Sequence, residues 1–425
     1  MLQNLCGVDQ MSILRKGLKN TLILTISTGA NQVLAFISFL IIPKEIGPNN
    51  YGLLSIAFTL LSFFDILASS GLNKVVIRRG CENLNNIEEA FYDTLGLKSI
   101  LLVLTIVVSS LISILYYKDS NLFFLILIMG VEFSVTAIFR YIGSYYIIKE
   151  DFIPISIISI ISKFIYYISL IVLIRQYPSP YLIAILLLFT SLLGLIFTIL
   201  HLFNKLDFVL ILKKTNLILN KHLILESLSF SGIVFMSSIH TKIDILMLSI
   251  FANNSIVGIY SLPQKLIEQL LVVSGILSIS FFPILLKNKE TLNRKSVFKK
   301  FFTFSIIGLV SYVAIVNLMS NSIKEIFLNH YGTDYKESPI ILIILMYYLG
   351  FSFFLMPFSL FLQSNRKENV ILSVYIIMVV VKVILNIILF PYYSMLGFAV
   401  TTLIIFIFGS FSLSLYSYRY VKSSQ

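Results

Sequence analysis

Apolar residues in this chain come in unbroken runs of about 20 to 29 positions, separated by short clusters of Lys, Arg, Asn, Pro and Gly. A helix that crosses a bilayer core needs about 20 such residues, and a run of that length with no alternation reads as a buried helix, not a strand. The runs predict twelve helices, over approximately 18–42, 51–72, 96–117, 121–147, 152–174, 179–203, 229–251, 258–286, 301–320, 338–363, 370–391 and 396–418. A transmembrane β-barrel would need alternation along each strand, so that class is excluded. Short connections make consecutive helices antiparallel neighbours.

Composition supports the same class. Of 425 residues, 58% are hydrophobic and 12% charged, with a mean hydropathy of +0.94. Soluble domains carry roughly twice that share of charge, so a soluble globule, a disordered chain and a secreted disulfide scaffold are all ruled out. The apolar stretch Leu18–Ile42, preceded by Arg15, Lys16 and Lys19, exceeds a signal-peptide core and reads as an uncleaved first span. Cys6 and Cys81 match no ligand spacing.

The net charge of +12 is a topology signal, not a mark of nucleic-acid binding. With the N-terminus, every second loop and the C-terminus placed on one side, that side holds twenty-two Lys and Arg; the other holds Lys44, Lys118, Arg175, Lys324 and Lys336. The positive-inside rule then places both termini in the cytoplasm. The longer polar connections, 73–95, 204–228 and 287–300, fall on the cytoplasmic side, and the longest external one is 321–337.

A repeat is visible in the middle. Ile46-Gly-Pro-Asn-Asn-Tyr-Gly52-Leu-Leu-Ser55 links the first two spans, and Ala252-Asn-Asn-Ser-Ile-Val-Gly258-Ile-Tyr-Ser261 links the seventh and eighth. Each is an Asn-bearing turn followed by Gly-x-x-Ser entering a helix, and the two glycines lie 206 positions apart. The expected organisation is an all-α polytopic membrane protein of two six-helix pseudo-repeat bundles around a central cavity, with residues 1–204 and 227–425 as bundles and 205–226 as a cytoplasmic linker. Transporters of that plan place their sites between the repeats, near the bilayer midplane.

Charge within the spans sharpens the functional reading. Arg140, Lys163, Lys242, Lys265 and Lys382 are cations inside predicted helices, and Asp65, Glu132, Asp244 and Glu268 are acids there. Each costs at least about 2.5–3.5 kcal/mol at the bilayer centre, so most must face a polar interior. Lys163, Lys242 and Lys382 fall near mid-span and suit an anionic guest, particularly a diphosphate, because lysine is a mobile point charge that releases its guest readily. Arg140 lies nearer the cytoplasmic end, where it either lines the cavity or snorkels to the interface. Lys265 and Glu268 share a helix face and also suit a structural ion pair. The acids are candidates for ion coupling, with mutual neutralisation by the lysines as the plainer alternative. Tyr141, Tyr145, Tyr146, Tyr166 and Tyr167 suit either sugar stacking or an interfacial belt. No P-loop, H-E-x-x-H, C-x-x-C or G-x-S-x-G occurs, and His201, His222, His240 and His330 lack metal-ligand spacing. The expectation is a non-enzyme with no cofactor and no metal.

Four sets of segments stand out: Asn20-Thr21 through Gly47–Ser55; Gly71-Leu-Asn-Lys-Val-Val-Ile-Arg-Arg79; Lys242-Ile-Asp244-Ile-Leu-Met-Leu with Val257–Tyr260 and Phe282-Pro283; and Asn386–Pro391 with Gly397–Thr402. In their order and spacing they resemble the Wzx-type O-antigen and capsule flippases of the polysaccharide-biosynthesis family. The resemblance implies the twelve-helix fold of the multidrug/oligosaccharidyl-lipid/polysaccharide exporter superfamily. It implies translocation of an undecaprenyl-diphosphate-linked oligosaccharide across the bacterial inner membrane, with a polysaccharide polymerase, a chain-length regulator, membrane lipid and a proton or sodium gradient as partners. Asp244 matches the family's acidic position in the seventh span and Arg140 the cation of the fourth. An O-antigen polymerase is disfavoured by the small external loops, and a cationic-drug antiporter by the cationic balance within the spans.

Overall fold

The computed structural model describes residues 6–84, 86–215, 221–287, 294–365 and 367–423. The side chains of Cys6, Arg15, Lys16, Lys19, Asn20, Thr21, Lys221, His222, Phe282 and Pro283, the expected basic cluster along 287–300, Arg366 and most of the linker beyond Thr215 lie outside the described residues. Among the described residues the protein is helical and contains no strand. Its helices are α1 (Cys6–Glu82), α2 (Ile87–Ile112), α3 (Ser120–Ile148), α4 (Ile153–Leu173), α5 (Pro180–Leu202), α6 (Phe208–Lys214), α7 (Lys221–Phe251), α8 (Asn254–Lys287), α9 (Arg294–Tyr331), α10 (Ser338–Ser364) and α11 (Glu368–Ser423).

Two of these helices are double spans. In α1 the break falls at Gly47, whose φ of 75° and ψ of 168° lie outside the helical region, with Pro48 following. A positive φ of this kind favours glycine, which has no Cβ to clash. In α11 the break is at Ser394, with φ of 48°, three residues beyond Pro391. Nine helices among the described residues are long and apolar enough to cross a membrane. Two of the nine hold two spans each, and α7, with 31 residues, adds one more. The predicted twelve spans are present.

The turns are shorter than the polar pattern suggests. The expected 73–95 connection is largely helical, because α1 runs to Glu82 and α2 begins at Ile87. The expected external loop 321–337 shrinks to Gly332 and a 3-10 turn at Thr333–Tyr335. Tight starts are fixed by local caps: the Asp119 carboxylate accepts from the Asn121 and Leu122 amides, and the Ser179 hydroxyl accepts from the Tyr181 amide before a helix opened by Pro180.

The chain forms two compact units, 1–41 with 57–235, and 42–56 with 236–425. In the first, α3 packs on α5 and α2, and α5 on α4. Its core gathers Val76, Phe91, Tyr141, Tyr146 and Leu202. In the second, α10 is central and packs on α8, α9 and α11. Here the two repeated turns meet. A Cβ on Gly52 would lie 1.8 Å from the Asn254 carbonyl oxygen, and one on Gly258 would lie 1.9 Å from that of Pro48. The recurrent glycines therefore exist so that each turn can seat its backbone against the other. Tyr335 adds a hydroxyl bond of 3.0 Å to the Pro43 carbonyl, and Ser338 one of 2.7 Å to that of Ile259. Outward faces carry large apolar side chains such as Phe304, Ile307 and Leu318, as surfaces meeting acyl chains require.

Candidate functional site

In the first unit, Asp65, Ser69 and Asn73 follow one another at intervals of four on α1 and so share a helix face. The Ser69 hydroxyl donates to Asp65 Oδ1 at 2.7 Å. Lys98 Nζ donates to Asn73 Oδ1 at 3.1 Å and to Ser69 Oγ at 3.4 Å, and lies 5.3 Å from the centre of the Tyr141 ring. Arg140 reaches from α3, its Nη2 donating to Asp65 Oδ2 at 2.8 Å. One polar chain thus runs from Lys98 through Ser69 and Asp65 to Arg140. Its two ends differ: Lys98 is fully buried, whereas the Arg140 side chain is 46% exposed. A guanidinium carries five N–H donors, and among the described residues only one of Arg140's is used.

Lys98, counted among the twenty-two cytoplasmic-side cations although it falls inside the predicted span 96–117, lies in the interior of α2, one turn from the buried Thr94 and Leu102. Glu132, buried on α3, accepts from Thr136 Oγ1 at 2.8 Å, and Lys163 and Arg140 both act on it electrostatically. Lys163 itself is half-buried on α4.

The second unit holds a closed knot around Asp244. Its Oδ2 receives Lys382 Nζ at 2.9 Å and the hydroxyls of Tyr260 and Thr402, each at 2.8 Å. Its Oδ1 receives Asn386 Nδ2 at 3.0 Å. Three of these donors crowd Oδ2 and one reaches Oδ1, so the charge is held mainly through one oxygen. Lys382 also donates to the His240 carbonyl at 2.7 Å and is fully buried. Lys382 is therefore an internal counter-ion of Asp244. Beside it lies a cavity of about 20 Å³, also lined by His240, Gln264, Glu268 and Tyr348; that is room for about one water. Lys265 Nζ pairs with Glu268 Oε2 at 2.8 Å. Gln264 braces that pair, donating to Glu268 Oε1 at 3.4 Å and to the Thr241 carbonyl. Lys242 is half-buried on α7.

Four of the five tyrosines, Tyr141, Tyr146, Tyr166 and Tyr167, are core residues, and Tyr145 is partly buried. Tyr141 and Tyr146 are 1% exposed. Tyr146 OH bonds His201 Nδ1 at 2.6 Å, and Tyr166 and Tyr167 pack edge to face with ring centres 5.0 Å apart. Burial closes those four to both the interfacial-belt and the sugar-platform reading. Among the described residues no group of His, Cys, Asp and Glu could hold a metal ion.

A family model described as "Polysaccharide biosynthesis protein" matches residues 17–289. No curated protein matches the sequence. Among solved structures, an inward-facing multidrug resistance MATE family transporter of the MOP superfamily superposes with a TM-score of 0.71 at 13% identity, over 92% of this chain and 95% of that one. The lipid II flippase MurJ, in an inward closed conformation, superposes with a TM-score of 0.67 at 15% identity, over 94% and 87%. A MOP superfamily transporter from Pyrococcus furiosus, described as having a binding pocket of reversed polarity, gives 0.60 at 14%, over 95% and 93%. The fold is that of the MOP transporters.

Proposed function

Because the chain belongs to the polysaccharide biosynthesis protein family, we propose that it is a flippase for an undecaprenyl-diphosphate-linked oligosaccharide. It carries an O-antigen or capsule repeat unit from the cytoplasmic to the outer leaflet of a bacterial inner membrane by alternating access. The lipid tail stays in hydrocarbon while the diphosphate and sugars pass through a polar interior. The carrying observation is Arg140: a guanidinium in the C-terminal third of α3, half exposed and held by a single carboxylate bond, whose spare donors match a phosphate in fork geometry. Lys163, half-buried on the neighbouring α4, adds a second cation of the mobile kind. Lys242 stands as the corresponding candidate in the second unit. A cation-exporting antiporter would need an accessible carboxylate instead. Asp244 is 3% exposed and paired with Lys382, Asp65 is 12% exposed and held by Arg140, Glu132 is buried, and Glu268, at 22%, is tied to Lys265.

In this reading a polymerase and a chain-length regulator act on the delivered units, and a proton or sodium gradient drives net export. The test is a deletion strain with radiolabelled lipid-linked sugar. Repeat units should accumulate on the cytoplasmic leaflet, and wild-type protein should clear them. Arg140→Gln, at matched protein levels, should restore less than about a tenth of surface glycan, since a lost charge-assisted pair is worth about 1.5–3 kcal/mol. Single repeat units capping finished glycan would instead mark a polymerase, and full output from Arg140→Gln would remove the anion site.

A further inference from the structure

Arg140 and Asp65 are an unequal pair. The guanidinium spends one N–H on the carboxylate, at 2.8 Å, and its side chain is 46% exposed against 12% for Asp65. The carboxylate has a second anchor that Arg140 lacks: Ser69 donates to its other oxygen at 2.7 Å, and behind Ser69 stands the buried ammonium of Lys98. Asp65 can thus give up Arg140 without being left as a bare charge, since a hydroxyl backed by a cation remains. Arg140, being exposed, can turn its remaining donors to an incoming oxyanion.

We propose that Asp65 is a tethered competitor anion for Arg140. It caps the guanidinium when no headgroup is bound, yields to a diphosphate oxyanion, and by returning expels that anion. This rests on the reading of the chain as a diphosphate translocase, and assigns the release step of that cycle to a residue pair. A carboxylate held on the same scaffold acts at high effective concentration, so it lowers the apparent affinity of Arg140 for a free anion without touching the anion itself. For a carrier that is the useful direction, because a site that binds too tightly does not let go. The charged groups around the pair are Lys98 from α2, Glu132 from α3 and Lys163 from α4. Two of these three are cations, so the surroundings also favour an anion's arrival.

The experiment is calorimetric titration of inorganic pyrophosphate into the full chain in lipid nanodiscs. Asp65→Asn, which keeps the shape and the Ser69 bond, should bind roughly tenfold more tightly than the unaltered protein, within the ordinary range of coupling energies. Arg140→Gln should bind more weakly than the unaltered protein, and adding Asp65→Asn to it should give no gain. Should Asp65→Asn fail to fold, Asp65→Ala makes the same comparison. Equal or weaker binding by the Asp65 variant, or a gain that survives the loss of Arg140, overturns the competitor role while leaving the translocase reading in place. No pyrophosphate binding by any of these proteins overturns both. A short prenyl diphosphate should compete more strongly than pyrophosphate. Equal competition would leave the exchange intact but assign the site to the free anion, against the lipid-linked reading.

Discussion

At the scale of single residues, the buried charges sort by whether their partner can leave. Lys382 and Asp244 are both sealed, at 0% and 3% side-chain exposure, and breaking such a pair strands an uncompensated charge, at a cost of about 3–5 kcal/mol. Lys382→Met and Asp244→Leu should each lower the unfolding free energy of the purified protein by that amount. The double variant should recover most of it, because an apolar pair of similar volume needs no counter-ion. A double variant no better than either single would show that Tyr260, Thr402 and Asn386 depend on the carboxylate more than on the pair. Neutralisation of buried acids by lysines was an open alternative in the sequence, but which lysine meets Asp244 was not legible. The two residues are 138 positions apart, and spacing arguments reach only neighbours on one helix, as with Lys265 and Glu268, whose pairing was readable. Lys98 was recoverable. Its position with Phe91, Thr94, Leu102 and Thr105, all buried, is the i, i+3, i+4, i+7 pattern of one helix face. The polar run 73–95 beside it masked that signal.

At the scale of elements, lipid made the spans legible and left their joints obscure. A bilayer requires every backbone group to be satisfied within a helix, so an apolar run of sufficient length has one reading, and twelve such runs became twelve spans. A helix that bends at one residue and continues leaves almost no trace. Around Gly47 the Pro-Asn-Asn sequence reads as a loop, yet α1 continues on both sides of a single non-helical residue. The repeated glycines were visible as a pattern, but only the structure supplies their cause, which is mutual backbone contact. Gly52→Ala and Gly258→Ala should therefore each sharply reduce the yield of folded protein, since the new methyl would stand 1.8–1.9 Å from a carbonyl oxygen that cannot move away. Gly308→Ala is the control. Nothing lies within 4 Å of its Cβ position, and removing a glycine from a helix interior favours the helix by about 0.5–1 kcal/mol. Gel-filtration recovery of the three variants decides it, and equal recovery would mean that the turn contact is dispensable.

At the scale of the whole molecule, the physical constraint is insertion. Each crossing switches sides, so alternate turns face one compartment, an even twelve spans return the C-terminus to the side of the N-terminus, and the charge on those turns selects which side it is. The turn around Lys149 and Glu150, the stretch Lys205–Asp207 ahead of α6, and Asn365–Lys367 belong to the cation-rich set. Lys118–Asp119, Gln176–Ser179 and Gly332–Lys336 belong to the other. The reassignment of Lys98 to a helix interior leaves twenty-one cations against five, so the bias survives the correction. Fusing a reporter that is active only outside the cytoplasm at each of the six turns should give signal from the second set and none from the first. The informative sites are those flanking the doubled helices. A reporter at Gly47 must read outside if α1 crosses twice, and one at Ser394 must read outside if α11 does. A cytoplasmic signal at either would mean that a long helix crosses only once, which would invert every turn beyond it and undo the charge bias, so a single misplaced span cannot hide in this measurement.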